Sequence, residues 1–230
     1  MRRVHLVSGT TSGIGLAIWE RLQAEGDRVI PIYKDSGGTG FDASKQILHA
    51  DFNKPHLIRE AIKSINVEID SFINCAGIAI GKPIWDTSEE EIDTVLRVNL
   101  VSPMIAIGAL REKFSSNSCI VLFSSISAQR GGWDDTYIAS KGAINSVVKS
   151  LALKLAPTTR VIGIAPGVTA DTRMTRERKA NDLEDVRCGT PLQKLASSAE
   201  LAELTVALLG SAGSHMTGSV VDVNGGAYLR

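Results

Sequence analysis

Short apolar runs alternate along this chain with longer stretches in which apolar residues recur every three or four positions. The first pattern fits strands buried on both faces, and the second fits amphipathic helices. Residues 4–7 predict a first strand. Ile14, Ile18 and Leu22, four apart, predict a helix that stops at Glu25-Gly26. Residues 28–33 predict a second strand, although Pro31 removes a ladder donor and is expected to distort it. Residues 34–45 are polar and rich in Gly and Asp and predict a loop; 47–50 predict a short third strand. Leu57, Ile58, Ala61, Ile62 and Ile65 form a helical stripe, and 69–74 predict a fourth strand. Ser88 and Glu91 have capping-box spacing, opening helical text that runs to about 114 with a bend expected near Pro103. Residues 120–124, 161–165 and 220–223 predict the remaining strands. A long helix is expected over 136–156, and another from the capping box at Ser197 and Glu200 to about 209. Residues 166–195 carry mixed charge and predict irregular structure.

Strands that alternate with helices imply a parallel sheet, because each crossover needs a helix to return the chain. The fold class is therefore α/β: a doubly wound, parallel, seven-stranded sheet with helices on both faces. Residues 1–230 are expected to form a single domain, with a substrate-covering segment at about 168–196.

Composition excludes several classes. The 230 residues balance 25 Lys and Arg against 25 Asp and Glu, with pI near 6.9. No electrostatic footprint for nucleic acid or for an anionic membrane is present. The start of the chain reads directly into a glycine loop, without the apolar region of a secretory signal, and no apolar run is expected to reach membrane-spanning length. Three cysteines (Cys75, Cys119, Cys188) without a C-x-x-C fit reduced thiols and a cytoplasmic location. Four scattered histidines (His5, His49, His56, His215) show no ligand spacing, so no metal site is read.

Two local patterns carry chemistry. Ser8-Gly-Thr-Thr-Ser-Gly-Ile-Gly15 joins the first strand to the first helix. Glycines there permit a tight turn and close approach to a pyrophosphate, which the helix N-terminus attracts. Tyr137 and Lys141 lie four apart at the head of the long helix, so both project from one face. A cation beside a phenol favours the phenolate and makes the tyrosine a workable acid–base.

Together these patterns resemble the short-chain dehydrogenase/reductase family across the whole chain, within a Rossmann-like fold. Asn74-Cys-Ala-Gly77 resembles that family's N-N-A-G, with Cys75 in place of the second Asn. Val98-Asn99-Leu100, Ser124-Ser125, Pro166-Gly167, Met216-Thr-Gly218 and Asn224-Gly-Gly226 fall where its other motifs fall. The resemblance implies hydride transfer between a nicotinamide and a carbonyl or alcohol carbon. It implies catalytic roles for four residues: Tyr137 as proton donor, Ser125 as donor to the carbonyl oxygen, Lys141 lowering the Tyr137 pKa and holding ribose, and Asn99 anchoring a water. Ser124 has the commoner spacing to Tyr137, but Ser125 is preferred because Ser-Ser members use the second.

The cofactor site implied by the resemblance takes in Gly9, Ser12, Gly13, Ile14, Gly15, Tyr33, Lys34, Asp51, Phe52, Asn74, Ala76 and Gly77. It continues through Tyr137, Lys141, Pro166, Gly167, Val168, Thr169 and Thr172, with Thr169 and Thr172 alternatives for one contact. Lys34 at the end of the second strand favours NADP; Asp35, if the strand is longer, favours NAD. The substrate is expected against Ser125, Tyr137 and Trp133, with Trp19 and Trp85 as packing residues.

The type most resembled is 3-oxoacyl-carrier-protein reductase, so a ketoreductase acting on a small carbonyl or alcohol is expected. A dehydrogenase of a small cyclic diol and an NADP-binding, non-catalytic regulator are the alternatives, with a sugar-nucleotide epimerase or dehydratase ranked below them. The resemblance also implies a homo-oligomer, a tetramer or dimer built on the long helix, for which Val147, Val148 and Leu151 are candidate contacts.

Overall fold

The apolar runs become seven strands in a computed structural model that describes residues 2–34, 46–176 and 178–229. These are β1 (Val4–Ser8), β2 (Arg28–Tyr33), β3 (Leu48–His49), β4 (Ile69–Asn74), β5 (Phe114–Phe123), β6 (Thr159–Pro166) and β7 (Val220–Val223). They form one sheet in the order β3-β2-β1-β4-β5-β6-β7, with every pairing parallel. The direction of winding reverses between β1 and β4. Doubly wound sheets hold ligands beyond the carboxyl ends of the strands at such a reversal.

The helices are α1 (Gly13–Ala24), α2 (Pro55–Lys63), α3 (Glu89–Leu96), α4 (Ser102–Leu110), α5 (Ser127–Arg130), α6 (Asp135–Leu155), α7 (Arg173–Arg176), α8 (Ala180–Cys188) and α9 (Ser198–Leu209). Successive strand residues face opposite sides, so the sheet has two cores. Leu6, Phe72, Ile120 and Leu122 meet Ile58, Ile62, Ile107 and Ile144 from α2, α4 and α6. Their neighbours Val7, Ile73 and Val121 meet Ile18, Leu22, Leu201 and Val206 from α1 and α9. Burial on both faces is why the strands read as continuous apolar runs rather than alternating ones.

Both capping boxes form. Ser88 accepts from the Glu91 amide while the Glu91 carboxylate accepts from the Ser88 amide, and Ser197 and Glu200 do the same at α9.

Four expectations are corrected. Pro31 causes no distortion, and β1 and β2 keep register from Val4↔Arg28 to Ser8↔Ile32. The Ile32 carbonyl accepts from Gly9 and the Tyr33 carbonyl from Ala50. By alternation Pro31 faces β3, whose pairing begins one residue later at Ile32↔Leu48. The missing N–H therefore breaks no bond.

Residues 166–195 are less irregular than expected, because α7 and α8 lie there. No residue of α8 is fully buried, so it carries no apolar stripe to read. β5 starts at Phe114 rather than 120; its first turn of sequence, Ser-Ser-Asn-Ser, is polar and hides the strand.

Last, Glu89–Lys113 is one continuous helical stretch of 25 residues, long and apolar enough by length and composition to cross a bilayer. Here it lies against the sheet with Val95, Ala106 and Leu110 fully buried. The bend expected near Pro103 is a π-helical stretch, Arg97–Val101, just before it.

Candidate active site

The turn between β1 and α1 is built by glycine. Gly9 (φ +73°) passes so close to the end of β4 that a Cβ would lie 2.9 Å from the Ala76 amide nitrogen. A Cβ on Gly15 would lie 2.2 Å from the Gly9 carbonyl oxygen. The Ser8 hydroxyl fixes this junction, donating to Asn74 Oδ1 at 2.8 Å and accepting from the Ala76 amide at 3.1 Å. The Asn74 side chain is thereby spent on the strand junction. Ser12 precedes α1 without capping it by its side chain, and the first turn of α1 carries no acidic residue. The first amides of α1 thus stay available to an anion. The Thr10 hydroxyl is buried with no hydrogen-bond partner. A glycine cradle with an unpaired hydroxyl inside it suits a bound dinucleotide phosphate. Thr10 escaped sequence reading, because only its burial singles it out.

The catalytic candidates converge beside this turn. Lys141 is buried, and its Nζ donates to the Phe123 carbonyl at 2.8 Å while standing 5.7 Å from the Tyr137 ring centroid. A Cβ on Gly77 would lie 3.4 Å from both Lys141 Nζ and Asn99 Oδ1. Asn99 is buried with its side chain fully engaged. Oδ1 accepts from the Ile78 amide at 2.8 Å; Nδ2 donates to the Ile78 carbonyl at 2.9 Å and to Ser140 Oγ at 3.0 Å. Ser140 in turn donates to the Tyr137 carbonyl at 2.7 Å. Pro103, four residues after Asn99, has no N–H, so the Asn99 carbonyl loses its α-helical donor. The Asn99 side chain is thus engaged, while its carbonyl lacks the α-helical donor.

The two serines differ. Ser124 is buried and donates to the Lys141 carbonyl at 3.1 Å. Ser125 accepts from the Ser127 amide at 3.1 Å, and its side chain hydrogen-bonds to the Tyr137 phenol.

Burial pushes the Tyr137 phenol above its ordinary value; the Ser125 hydrogen bond pulls it down and the Asp134 charge pushes it further up. Lys141 is buried beside it. Its ammonium is turned to the Phe123 carbonyl, and burial pulls its own pKa to about 8. Burial also pushes up the Cys75 thiol, which neighbours Lys141.

Asp134, which the sequence reading passed over, ties the site together. Its Oδ1 accepts from the Tyr137 amide at 2.9 Å, and Oδ2 accepts from the amides of Ile80 and Gly81, both at 2.7 Å. The loop after β4 is thereby fastened to the head of the catalytic helix. The signal that could have found it is an Asp at N-cap spacing from Tyr137.

The remaining residues fall around this centre. Lys34, 66% exposed, pairs with Asp51 at 3.5 Å, and Asp51 also accepts from the Asn53 amide at 2.8 Å. Tyr33 is buried and meets His49 edge-on, with ring centroids 4.9 Å apart. Asp35 lies outside the described residues. Phe52 is buried, and its carbonyl accepts from the Ser102 hydroxyl. Gly167 packs against Asn224, whose Cα would lie 3.0 Å from an added Cβ. The Pro166 carbonyl accepts from Ile126 and the Val168 carbonyl from Ala196.

Thr169 is buried and its hydroxyl is turned to the Gly167 carbonyl at 3.3 Å. Thr172 lies over Gly13, with Cα and Cγ2 each 3.5 Å from an added Cβ there. Of the two threonines, Thr172 is the one brought to the glycine turn.

Trp19 packs against the second core as expected. Trp85 is not a core residue: it is 76% exposed on the turn Ile84–Asp86. Val148 lies in the core and is closed to a partner; Val147 and Leu151 are partly buried against the same core. Among the described residues no group of three His, Cys, Asp or Glu is placed to hold a metal ion.

Comparison with known proteins agrees with this geometry. The family model described as enoyl-(acyl carrier protein) reductase matches residues 9–228. The 3-oxoacyl-acyl-carrier-protein reductase FabG of Salmonella typhimurium is 26% identical, over 99% of this chain and 98% of its own. A short-chain dehydrogenase/reductase of Brucella melitensis, named as a glucose/ribitol dehydrogenase, superposes with a TM-score of 0.92 at 28% identity over the full length of both chains. A short-chain dehydrogenase from Burkholderia cenocepacia, solved in complex with NADP, has a TM-score of 0.89 at 28% identity, over 98% of this chain and 97% of its own.

Proposed function

The chain belongs to the short-chain dehydrogenase/reductase family of oxidoreductases, and from that premise we propose that it is an NADPH-dependent ketoreductase of a small carbonyl compound. One observation carries the proposal: Tyr137, Lys141, Ser125 and Asn99 converge at the carboxyl edge of the sheet, directly beside the glycine turn. The nicotinamide supplies the hydride when bound.

The chain's own residues do the rest. Ser125 donates to the carbonyl oxygen as negative charge builds on it. The Tyr137 phenol, kept protonated through neutral pH by burial, gives its proton to that oxygen. Lys141, on the same helix face, holds the ribose and supports the phenol. The Asn99 carbonyl, deprived of its helical donor by Pro103, anchors the water that returns a proton through Lys141. Ser124 stays structural.

The glycine turn from Gly9 to Gly15 cradles the phosphates, with Ser12, Thr10 and Thr172 around them. Asp51, Phe52, Asn74, Ala76 and Gly77 line the adenosine and nicotinamide sides, and 166–169 close the far edge. Lys34 turns from Asp51 to a 2′-phosphate, which is why NADPH is chosen over NADH; the Burkholderia relative's NADP complex supports this. Residues 168–196 cover the substrate, which contacts Ser125, Tyr137 and Trp133. A homo-oligomer is expected to cover the exposed apolar side chains of Val101, Met104 and Leu153. The test is consumption of NADPH, followed by its absorbance, across a panel of ketones. Turnover of at least one ketone with NADPH favoured over NADH is expected; no turnover with any ketone would remove the reductase assignment.

A further inference from the structure

Trp133, placed against the substrate, stands together with a second tryptophan that has no role in the reaction. Trp133 lies four residues before Tyr137 and is 66% exposed; Trp85 is 76% exposed. Their rings meet edge to face, with centroids 6.5 Å apart and planes at 87°. Large aromatics rarely stay this exposed without a use.

The contact is built in rather than incidental. The Ile84 amide, next to Trp85, donates to Asp135 Oδ2 at 2.9 Å. Ile80 and Gly81, earlier in the same loop, donate to Asp134. Consecutive carboxylates at the head of the catalytic helix therefore hold the Trp85 loop against Trp133. The same Asp134 caps the turn that carries Tyr137, so the aromatic pair is fixed relative to the phenol.

An edge-to-face pair leaves ring faces open for a third flat group to stack on. The surroundings select its charge. Asp86, Glu89, Glu90 and Asp135 are exposed around the Trp85 turn, and of the nearby cations Lys82 is paired to Glu91. Clustered acids repel a phosphate-bearing or acidic carrier. The covering segment on the other side carries both signs, with Arg173, Arg176, Arg178 and Lys179 against Asp171, Asp182 and Asp185; Arg178 is near enough to act on the Tyr137 phenol, so the acidic bias belongs to the Trp85 side.

Building on the reductase reading, we propose that Trp85 and Trp133 form an aromatic clamp that selects an uncharged ketone bearing a flat aryl or polycyclic group, in preference to an acyl thioester on a polyanionic carrier. The clamp determines specificity and takes no part in proton transfer.

The experiment compares kcat/KM with NADPH for 2-acetonaphthone, cyclohexanone and acetoacetyl-coenzyme A, in wild type, Trp85→Ala, Trp133→Ala and Trp85→Phe. Binding of 2-acetonaphthone to the NADP-loaded proteins is measured calorimetrically in parallel, and oligomer mass by light scattering. The wild type is expected to prefer the naphthyl ketone over both others. Each alanine variant should lower the naphthyl-to-cyclohexanone ratio by about tenfold, with Trp85→Phe retaining most of it. A ratio that the alanine variants do not move overturns the clamp, as does a wild-type preference for the thioester. A change in oligomer mass with unchanged selectivity assigns the pair to a subunit interface and also overturns it. Should no ketone turn over, tryptophan-dependent binding of the naphthyl ketone would keep the clamp while the reductase reading failed. Absence of that binding would end both.

Discussion

Lys141 is a buried cation, and removing its charge should show in stability before it shows in anything else. Burial lowers its pKa from 10.5 to about 8. Between those values the unfolded chain holds a proton that the folded chain has released, so stability rises with pH across that window. Below it, the folded protein carries the full penalty of a buried ammonium, about 3 kcal/mol from the displacement alone. That figure is net of the bond that its Nζ donates to the Phe123 carbonyl. Lys141→Met keeps the stem's volume and removes the titration. Comparing urea unfolding of the cofactor-free wild type and variant at about pH 7 and about pH 9.5 isolates the effect. Cys75 and Tyr137 are present in both chains. The wild type should gain about 2 kcal/mol relative to the variant over that range, while the variant loses ketone turnover. A stability difference independent of pH would refute the burial argument, and with it the view that Lys141 is held at the site at a cost to the fold.

Three further outcomes follow from the geometry. Ser125→Ala should lower kcat by roughly 10²–10³-fold, whereas Ser124→Ala, which loses only the bond to the Lys141 carbonyl, should cost less; the reverse order in steady-state kinetics would reassign the hydroxyl. Lys34→Asp should move preference from NADPH toward NADH, on the order of ten- to a hundredfold in affinity for the loss of a charge-assisted phosphate contact; cofactor titrations check this, and tighter NADH binding by the wild type would contradict it. His5 is buried between Ser71 Oγ at 2.6 Å and Asp27 Oδ2 at 3.0 Å, and burial, outweighing Asp27, holds its pKa below 6.5. Stability supported by the neutral ring is present above 6.5 and falls as pH drops toward the lowered value, so His5→Gln should flatten acid unfolding below about pH 6.5, read by the pH dependence of Tm.

Much of the framework was legible because both faces of the sheet are covered. Arg28–Tyr33, Ile69–Asn74 and Val220–Val223 are the strands their apolar runs predict. The capping residues Ser88 and Ser197 marked helix starts through side-chain chemistry that needs no tertiary context. Pro31 misled, because whether a strand donor is needed depends on how far the neighbouring strand extends. α8 was invisible for the opposite reason: a helix that buries no residue leaves no period to read. At the site, spacing named Tyr137 and Lys141 and the family resemblance named Asn99, but neither gave what their atoms do. That the Asn99 side chain is spent on Ile78 and Ser140, that Lys141 faces the Phe123 carbonyl and that Asp134 staples two segments are facts of three-dimensional placement. Trp85 was taken for a packing residue because aromatics are usually buried, and only its exposure shows otherwise.

The account rests on Tyr137 as the proton donor, and Tyr137→Phe with a reducible ketone tests this most directly. Wild-type reduction should persist through neutral pH, because burial pushes this phenol up and keeps it protonated there. The phenylalanine variant should bind NADPH, measured by fluorescence titration, while kcat falls by about 10²–10⁴-fold. Turnover near wild type in Tyr137→Phe, with NADPH bound normally, would contradict the assignment.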